Sequence, residues 1–272
     1  MQRDPSIEAV FGVSRALVGM IHAGALPGTP QASQPVARLA EAAAAEAQTL
    51  HAAGFHGLIL ENMHDRPYMK GETAPEVVAA MTAIAREVKR ASSLPLGIQI
   101  LAGANREALA VALATGAAFI RAEGFVFAHV GDEGVHEACA GELLRYRQAI
   151  GAEHVRVFAD VKKKHSSHAI TADVDVVATA QAAEFFLADG VIVTGAATGR
   201  DADPAEVAAV AGAISIPTLV GSGVRPETIA RYERADAFIV GSALKQGGVW
   251  SNPLDEKRIE ALVRAFERVA VG

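Results

Sequence analysis

The sequence predicts a (β/α)8 TIM barrel of the α/β class, in which eight parallel strands close into a cylinder surrounded by helices. Three observations support this fold. Eight short apolar runs alternate with longer helical patterns, polar residues follow the runs, and a length of 272 residues suits one such barrel. Residues 1–272 are therefore expected to form a single domain.

The apolar runs are short and rich in β-branched or bulky residues, and they lack the polar–apolar alternation of a sheet with one exposed face. They therefore predict strands that are buried on both sides. In chain order they are Leu17–Ile21, Gly57–Leu60, Leu96–Ile100, Phe119–Arg121, Val155–Ala159, Val191–Val193, Thr218–Val220 and Phe238–Val240.

The segments between these runs are rich in Ala, Leu and Glu at helical spacing. The clearest helices are predicted at Arg38–Ala53, Ala74–Arg90 and Arg106–Thr115. Glycine is common just after the last turn of a helix, because it adopts positive φ without strain. Four glycines precede predicted strands and are expected to end helices in this way: Gly54, Gly116, Gly151 and Gly190.

An open, doubly wound sheet is the alternative arrangement of strands and helices. That fold has a glycine-rich dinucleotide-binding turn after its first strand. The corresponding segment here, His22–Gly28, does not have that pattern. Eight repeating units with no long linker favour closure into a barrel.

Composition excludes several functional classes. The formal net charge is -6 and only 5% of residues are aromatic, so neither nucleic acid nor an anionic membrane is an expected partner. Cys139 is the only cysteine, which excludes an internal disulfide. The N-terminal segment lacks the apolar core of a signal peptide, and the longest uncharged apolar run, Ala108–Ile120, is too short to span a bilayer. We expect a cytoplasmic protein, and its Ala-rich helices suggest a homo-oligomer.

Polar residues at the carboxyl ends of the predicted strands define a rim. In a TIM barrel this end carries the active site, whereas the opposite end serves stability. The rim residues are His22, Glu61, Asn62, Gln99, Asn105, Arg121, Glu123, Asp160, Lys162, Thr194, Ser222 and Ser242.

Two glycine-containing motifs follow the last two strands directly: Gly221-Ser222-Gly223-Val224 and Gly241-Ser242-Ala243-Leu244-Lys245. Glycine lets the backbone approach an anion, and the N–H groups at a helix start point toward it. Barrels often bind phosphate in these two loops. The pair therefore predicts a phosphate site, although tight turns alone would also explain the glycines.

The segment Asp160–His168 follows the fifth strand and holds three consecutive lysines. On an alternating strand end, Asp160 and Lys162 are expected to point the same way, into the barrel mouth. They could form an acid/base pair, or Lys162 could form a Schiff base if its pKa is lowered. A solvated basic loop is the alternative, and we favour it for Lys163. Lys164 and His165 are expected to cover a ligand.

Carboxylates also end the second and fourth strands. Glu61, next to Asn62, and Glu123, next to Arg121, could share acid/base work across the pocket. Alternatively, Arg121 and Glu123 form a structural ion pair. His22 is a candidate proton shuttle, although a lone histidine more often serves as a hydrogen-bonded pocket residue.

No cofactor and no metal site is predicted. His165 and His168 are three residues apart near Asp160, but this order does not match a dedicated zinc pattern. The sequence is compatible with a Mg²⁺ ion that is bound partly by the phosphate group of a ligand.

The motifs along the chain resemble those of the BtpA family. They are Met20–His22, Ala25–Gly28, Glu61–Met63, Ala114–Arg121, Gly141–Arg147, Phe158–Asp160, Lys164–His165 and Gly241–Lys245, and they cover nearly the whole chain in the family's order. The resemblance implies a ribulose-phosphate-binding type of TIM barrel. It also implies two kinds of function, because the family is named after a factor in photosystem I biogenesis, while SgcQ-like relatives are regarded as nucleosidases or sugar-phosphate enzymes.

At Arg121–Glu123 and Asp160–Lys164 the sequence departs from the photosystem version, which changes charge on the rim and argues against that role. We therefore expect an enzyme that acts on a phosphorylated sugar or nucleoside-derived small molecule by acid/base catalysis. Lyase, isomerase and nucleosidase-type chemistry all stay open. A non-catalytic assembly factor is the alternative.

Overall fold

Eight parallel strands form a closed barrel in the computed structural model, which describes residues 6–195 and 201–270. Around the barrel the strands follow one another in chain order, so each one pairs with its neighbours in the sequence of barrel strands. They are β1 (Ala16–His22), β2 (Gly57–Glu61), β3 (Leu96–Gln99), β4 (Phe119–Ala122), β7 (Arg156–Val161), β9 (Gly190–Val193), β10 (Thr218–Val220) and β11 (Ala237–Val240). This confirms the predicted fold class, and each of the eight apolar runs overlaps one barrel strand.

Three further strands form a small antiparallel sheet beside the barrel mouth. They are β5 (His129–Gly131), β6 (Gly134–His136) and β8 (Ser166–Ser167), with β5 in the centre. The sequence does not predict this sheet, because its strands are two or three residues long and polar residues and glycines interrupt them. Its β5–β6 turn carries Asp132 and Glu133 to the mouth of the barrel.

The helices are α1 (Ser6–Phe11), α2 (Val36–Ala52), α3 (Pro75–Ala91), α4 (Asn105–Thr115), α5 (Ala140–Ala149), α6 (Val176–Phe185), α7 (Pro204–Ala213) and α8 (Glu256–Ala270). The three helices predicted most clearly correspond to α2, α3 and α4. Between β10 and β11 the chain makes a 3₁₀ turn, Ile229–Arg231, where a regular barrel has an α-helix.

Three of the four glycines that were predicted to end helices have the expected positive φ. Gly54, Gly116 and Gly151 have φ values of 91°, 68° and 71°, which non-glycine residues rarely adopt. The prediction for Gly190 is wrong. It is the first residue of β9, and the chain leaves α6 through Leu187, which takes the positive φ instead.

The amino-terminal end of the barrel is sealed. From α1, Ile7 and Phe11 pack into the apolar cluster inside the barrel, where the Phe11 ring lies 5.5 Å from that of Phe119. A Cβ atom at Gly57 would overlap the Phe11 ring, so glycine is needed for this close approach. Polar ligands therefore have access from the opposite end. No helix in the described ranges is long and apolar enough to cross a membrane.

Candidate functional site

A cavity of about 460 Å³ opens at the carboxyl ends of the barrel strands. Most of the residues predicted for the rim, the phosphate loops and the ligand cover line it: His22, Glu61, Gln99, Arg121, Glu123, Asp160, Lys164, His165, Gly221, Ser222, Gly223, Gly241 and Ser242. Five of the predicted residues do not line it: Asn62, Asn105, Lys162, Thr194 and Lys245. Strand ends thus bring charged groups from distant parts of the chain into one pocket.

Arg121 and Asp160 form a buried ion pair in this cavity. The Nε atom of Arg121 lies 3.1 Å from both carboxylate oxygens of Asp160, and the two side chains expose only 6% and 1% of their surface. Burial acts to lower the pKa of Arg121, but the charges of Asp160 and Glu61 outweigh it and raise the pKa. Arg121 therefore pairs with Asp160, and the predicted alternative, a pair with Glu123, is wrong.

His22 and Glu61 form a second pair, on β1 and β2. His22 Nδ1 lies 3.2 Å from the carbonyl oxygen of Trp250, which can only accept a hydrogen bond. Burial lowers the pKa of His22 to about 4, so the ring is neutral at pH 7 and carries its proton on Nδ1. Its Nε2 atom is then an acceptor, 3.5 Å from Glu61 Oε2. Burial also raises the pKa of Glu61, which favours a protonated carboxyl group beside that acceptor.

Glu123 is held by three neighbours. Its carboxylate lies 3.4 Å from Gln99 Nε2 and 3.2 Å from Lys163 Nζ, and burial raises its pKa. Asn105, at the start of α4, binds the backbone of Glu123 twice, by donating to its carbonyl oxygen and accepting from its N–H. The position of this carboxylate is therefore fixed from both the backbone and the side chain.

The three lysines after β7 point in different directions. Lys162 has a φ of 48°, so the strand alternation ends there, and its ammonium donates to the carbonyl oxygen of Thr171 outside the cavity. The prediction that Lys162 shares the mouth with Asp160 is wrong for this reason. Lys163, predicted to be a solvated residue, instead lines the cavity and pairs with Glu123. Lys164 lines it too.

The two glycine motifs lie side by side along one wall of the cavity. Gly223 has a φ of 72°, and a Cβ atom there would overlap the backbone of Asp201, so the loop requires glycine. Among the described residues, the N–H groups of Gly223 and Ser242 have no backbone acceptor. A Cβ atom at Gly221 would lie 3.4 Å from an Arg121 nitrogen, which places the ion pair directly beneath this wall. Arg258 lines the same corner and donates to the carbonyl oxygen of Ala243.

Lys245, predicted to bind phosphate, is directed away from the cavity. Its side chain exposes only 2% of its surface, and its ammonium lies 2.5 Å from Glu46 of α2. The charge is thus already paired in a contact between the last barrel loop and the helix layer. The predicted position of Lys245 is wrong.

Asn62 and Thr194 are buried beside the cavity. Asn62 accepts from the N–H of Leu101 and donates to Asp65, so it connects the ends of β2 and β3. The hydroxyl of Thr194 has no hydrogen-bond partner in the parts of the chain that the structure describes. Both residues support the wall, and neither contacts the space predicted for a ligand.

Several cavity residues were missed by the sequence analysis. Trp250, which follows the last 3₁₀ turn, lies under the guanidinium of Arg66, whose carbon is 5.1 Å from the ring centroid. Met63, Tyr68 and Trp250 together make one side of the cavity partly apolar. Met63 ends the motif Glu61–Met63, whereas Tyr68 and Trp250 lie in loops without a recognised motif. Only the presence of the sole tryptophan in such a loop could have indicated Trp250.

Three histidines pack together between the small sheet and the barrel. The rings of His129 and His136 stack at 4.9 Å, and the ring of His168 lies 5.6 Å from that of His129. No group of three or more His, Cys, Asp or Glu side chains within the described ranges is arranged to hold a metal ion. His165 lines the cavity.

The family model and the curated relatives described next each match most of the chain. A model described as the BtpA family matches residues 13–268. A Caenorhabditis elegans protein, named as an uncharacterized mitochondrial protein, is 46% identical over 265 residues, which are 95% of each chain. The photosystem I biogenesis protein BtpA of Synechocystis is 34% identical over 259 residues, 94% of this chain and 89% of the relative.

Solved structures with a similar fold include (S)-3-O-geranylgeranylglyceryl phosphate synthase from Thermoplasma acidophilum, in complex with its substrate sn-glycerol-1-phosphate. The TM-score is 0.59, and the match covers 98% of this chain and 99% of that one. The sequence identity is only 16%, so this similarity shows the barrel fold alone.

Proposed function

This chain belongs to the BtpA family, and from that premise we propose that it is an enzyme acting on a small phosphorylated sugar or nucleoside-derived compound. One observation carries the proposal. The cavity has two unlike halves, a glycine-lined wall at Gly221–Gly223 and Gly241–Ala243 and a buried group of charged side chains beside it. Such a pocket suits a substrate with an anionic end and a reacting end.

The glycine-lined wall supports phosphate binding. Within the described ranges the N–H groups of Gly223 and Ser242 have no backbone acceptor, so they are suitable donors to phosphate oxygens. Both loops follow the last two strands, where barrels commonly bind phosphate. The similar synthase from Thermoplasma acidophilum holds sn-glycerol-1-phosphate on the same fold. The partly apolar side at Met63, Tyr68 and Trp250 suits a base or another planar group.

The charged half supports acid/base chemistry. Glu61, which burial favours in the protonated form, is a suitable general acid, and the neutral His22 beside it is a suitable proton acceptor. Arg121, held by Asp160, can stabilise negative charge that develops on the substrate. Cleavage of a glycosidic or C–C bond and isomerisation would all use these groups.

Calorimetric titration with ribose 5-phosphate, sn-glycerol-1-phosphate and nucleoside monophosphates tests the proposal. We expect at least one of them to bind, and Ser242→Asp to weaken its affinity by at least about tenfold, because a carboxylate would repel the phosphate. Ser93→Asp, on an exposed residue before β3 at the sealed end, is the matched control and should bind like the wild type. Binding that is absent for the whole panel, or equal in both variants, would overturn the proposed site.

A role in assembly is the second candidate, supported by the name of the Synechocystis relative. It requires a stable protein partner and no chemistry in the cavity. Affinity purification from the native host would separate the two functions, because a co-purifying partner that survives Ser242→Asp favours assembly. Recovery of the chain alone would count against it.

A further inference from the structure

Lys164 is held differently from the other lysines near the cavity. The ammonium groups of Lys162, Lys163 and Lys245 are bound by Thr171, Glu123 and Glu46. Lys164 lines the cavity, yet within the described ranges its ammonium has no hydrogen bond and no ion pair. Two residues with positive φ, Lys162 and His165, flank this short segment and fix the directions of its side chains.

The neutral amine form of Lys164 is more favourable in these surroundings than it is for a lysine in water. Burial lowers its pKa, and the nearby charge of Arg121 lowers it further. The carboxylates of Glu61, Asp160 and Glu123 act in the opposite direction without reversing the shift. A neutral amine is a nucleophile, whereas an ammonium ion is not.

These surroundings do not suit a phosphate-binding lysine. The carboxylate of Asp160 is one of the charges that act on Lys164, and it would repel a phosphate placed beside the lysine. The glycine-lined wall offers backbone donors instead. A phosphate on that wall would leave the other end of a short substrate facing the charged half and Lys164.

We propose that Lys164 is a nucleophile that forms an imine with the carbonyl carbon of an open-chain phosphorylated aldehyde or ketone. This inference rests on the proposed function, because the phosphate on the glycine-lined wall positions the carbonyl group. It narrows the substrate class to compounds that carry a carbonyl group, or open to give one.

The step balances with groups that line the cavity. The nitrogen lone pair of Lys164 attacks the carbonyl carbon, a C–N bond forms, and the oxygen becomes a hydroxyl group as the nitrogen loses a proton. Glu61 donates a proton to the hydroxyl, which leaves as water, and the remaining N–H proton returns to Glu61. One amine and one carbonyl compound thus give one imine and one water, and no oxidant or metal is needed.

Reductive trapping tests this step on the wild-type protein. Glyceraldehyde 3-phosphate is added with sodium cyanoborohydride, which reduces an imine to a stable secondary amine, and peptide mass spectrometry locates the adduct. We expect roughly tenfold more adduct at Lys164 than at the exposed Lys70, because the cavity holds the aldehyde beside the amine. Glycerol 3-phosphate, which has no carbonyl group, should compete and protect Lys164.

Two variants separate an imine from electrostatic binding. Lys164→Arg keeps the positive charge but cannot form the imine, so it should bind glycerol 3-phosphate and give no adduct in the cavity. Lys70→Arg is the matched control and should be trapped at Lys164 like the wild type. Adduct spread equally over surface lysines, or no adduct at Lys164, would overturn the imine.

Titration of glycerol 3-phosphate into the same wild-type sample shows which proposal has failed. Binding without an adduct overturns the imine and leaves the phosphate site standing. Neither binding nor an adduct overturns both.

Discussion

At the scale of single residues, the mouth of the barrel holds its ionisable groups in unusual states. His22 and His129 are both buried enough for their pKa values to fall to about 4, while burial raises the pKa values of Glu61 and Glu123. Each shift favours the uncharged form of its group. In the cavity, a neutral His22 therefore lies beside Glu61, whose protonated form burial favours, and such a pair suits acid/base chemistry.

The buried histidines predict a loss of stability in weak acid. The unfolded chain binds protons at histidine near pH 6.5, whereas the folded chain resists protonation of His129 until about pH 4. The free energy of unfolding should therefore fall as the pH drops from about 6.5 to about 4, and His129→Phe should reduce that fall by roughly 2 kcal/mol. Urea unfolding of the wild type and of His129→Phe at pH 7 and pH 4.5 measures this difference in the fall.

His154→Gln, at an exposed site, is the control for this prediction and should leave the fall in stability unchanged. An equal fall in the wild type and in His129→Phe would show that His129 does not resist protonation. His22 should account for part of the fall that remains in the variant, because its pKa is shifted in the same direction.

The sequence could place Glu61, Arg121 and Asp160 in one pocket because parallel strands bring their carboxyl ends together. It could not place Lys162 and Lys163, since strand alternation ends with β7, and at Lys162 the backbone turns to a φ of 48°. Nor could it show that Lys245 is paired with Glu46, because that partner lies on α2, far away in the chain. Local rules fail where a distant contact decides a side chain's direction.

At the scale of elements, α1 closes the amino-terminal end of the barrel and leaves the other end open. Its Phe11 ring fills the amino-terminal end of the barrel interior against Phe119, so the cavity lined by the strand ends opens at the other end. The strands and long helices were predictable because their apolar periodicity is strong. The three short strands beside the mouth were not, because two or three residues are too few to show a period.

Removal of this seal should cost stability and leave ligand binding intact. Phe11→Ala deletes a buried ring, which exposes 7% of its surface, and should lower the free energy of unfolding by about 3 kcal/mol. Val10→Ala, on the same helix and half-buried, should cost no more than about 1 kcal/mol. Equal losses in both variants, measured by urea unfolding, would show that α1 does not seal the barrel.

At the scale of the whole molecule, the barrel holds two kinds of environment within one cavity. The last two barrel loops supply glycines and N–H groups that have no backbone acceptor among the described residues, while the earlier strands supply buried charged side chains. The order of strands around the barrel brings β11 back beside β1, so Gly241 lies against His22. A phosphorylated molecule bound by the loops would therefore reach the charged groups directly.

The most direct measurement is a crystal structure of the protein soaked in inorganic phosphate. We expect one phosphate on the glycine-lined wall, within hydrogen-bond distance of the N–H groups of Gly223 and Ser242. A wall that stays without phosphate when other surfaces bind it, or that is filled by side chains such as Arg258, would contradict the central claim that this barrel binds phosphorylated compounds.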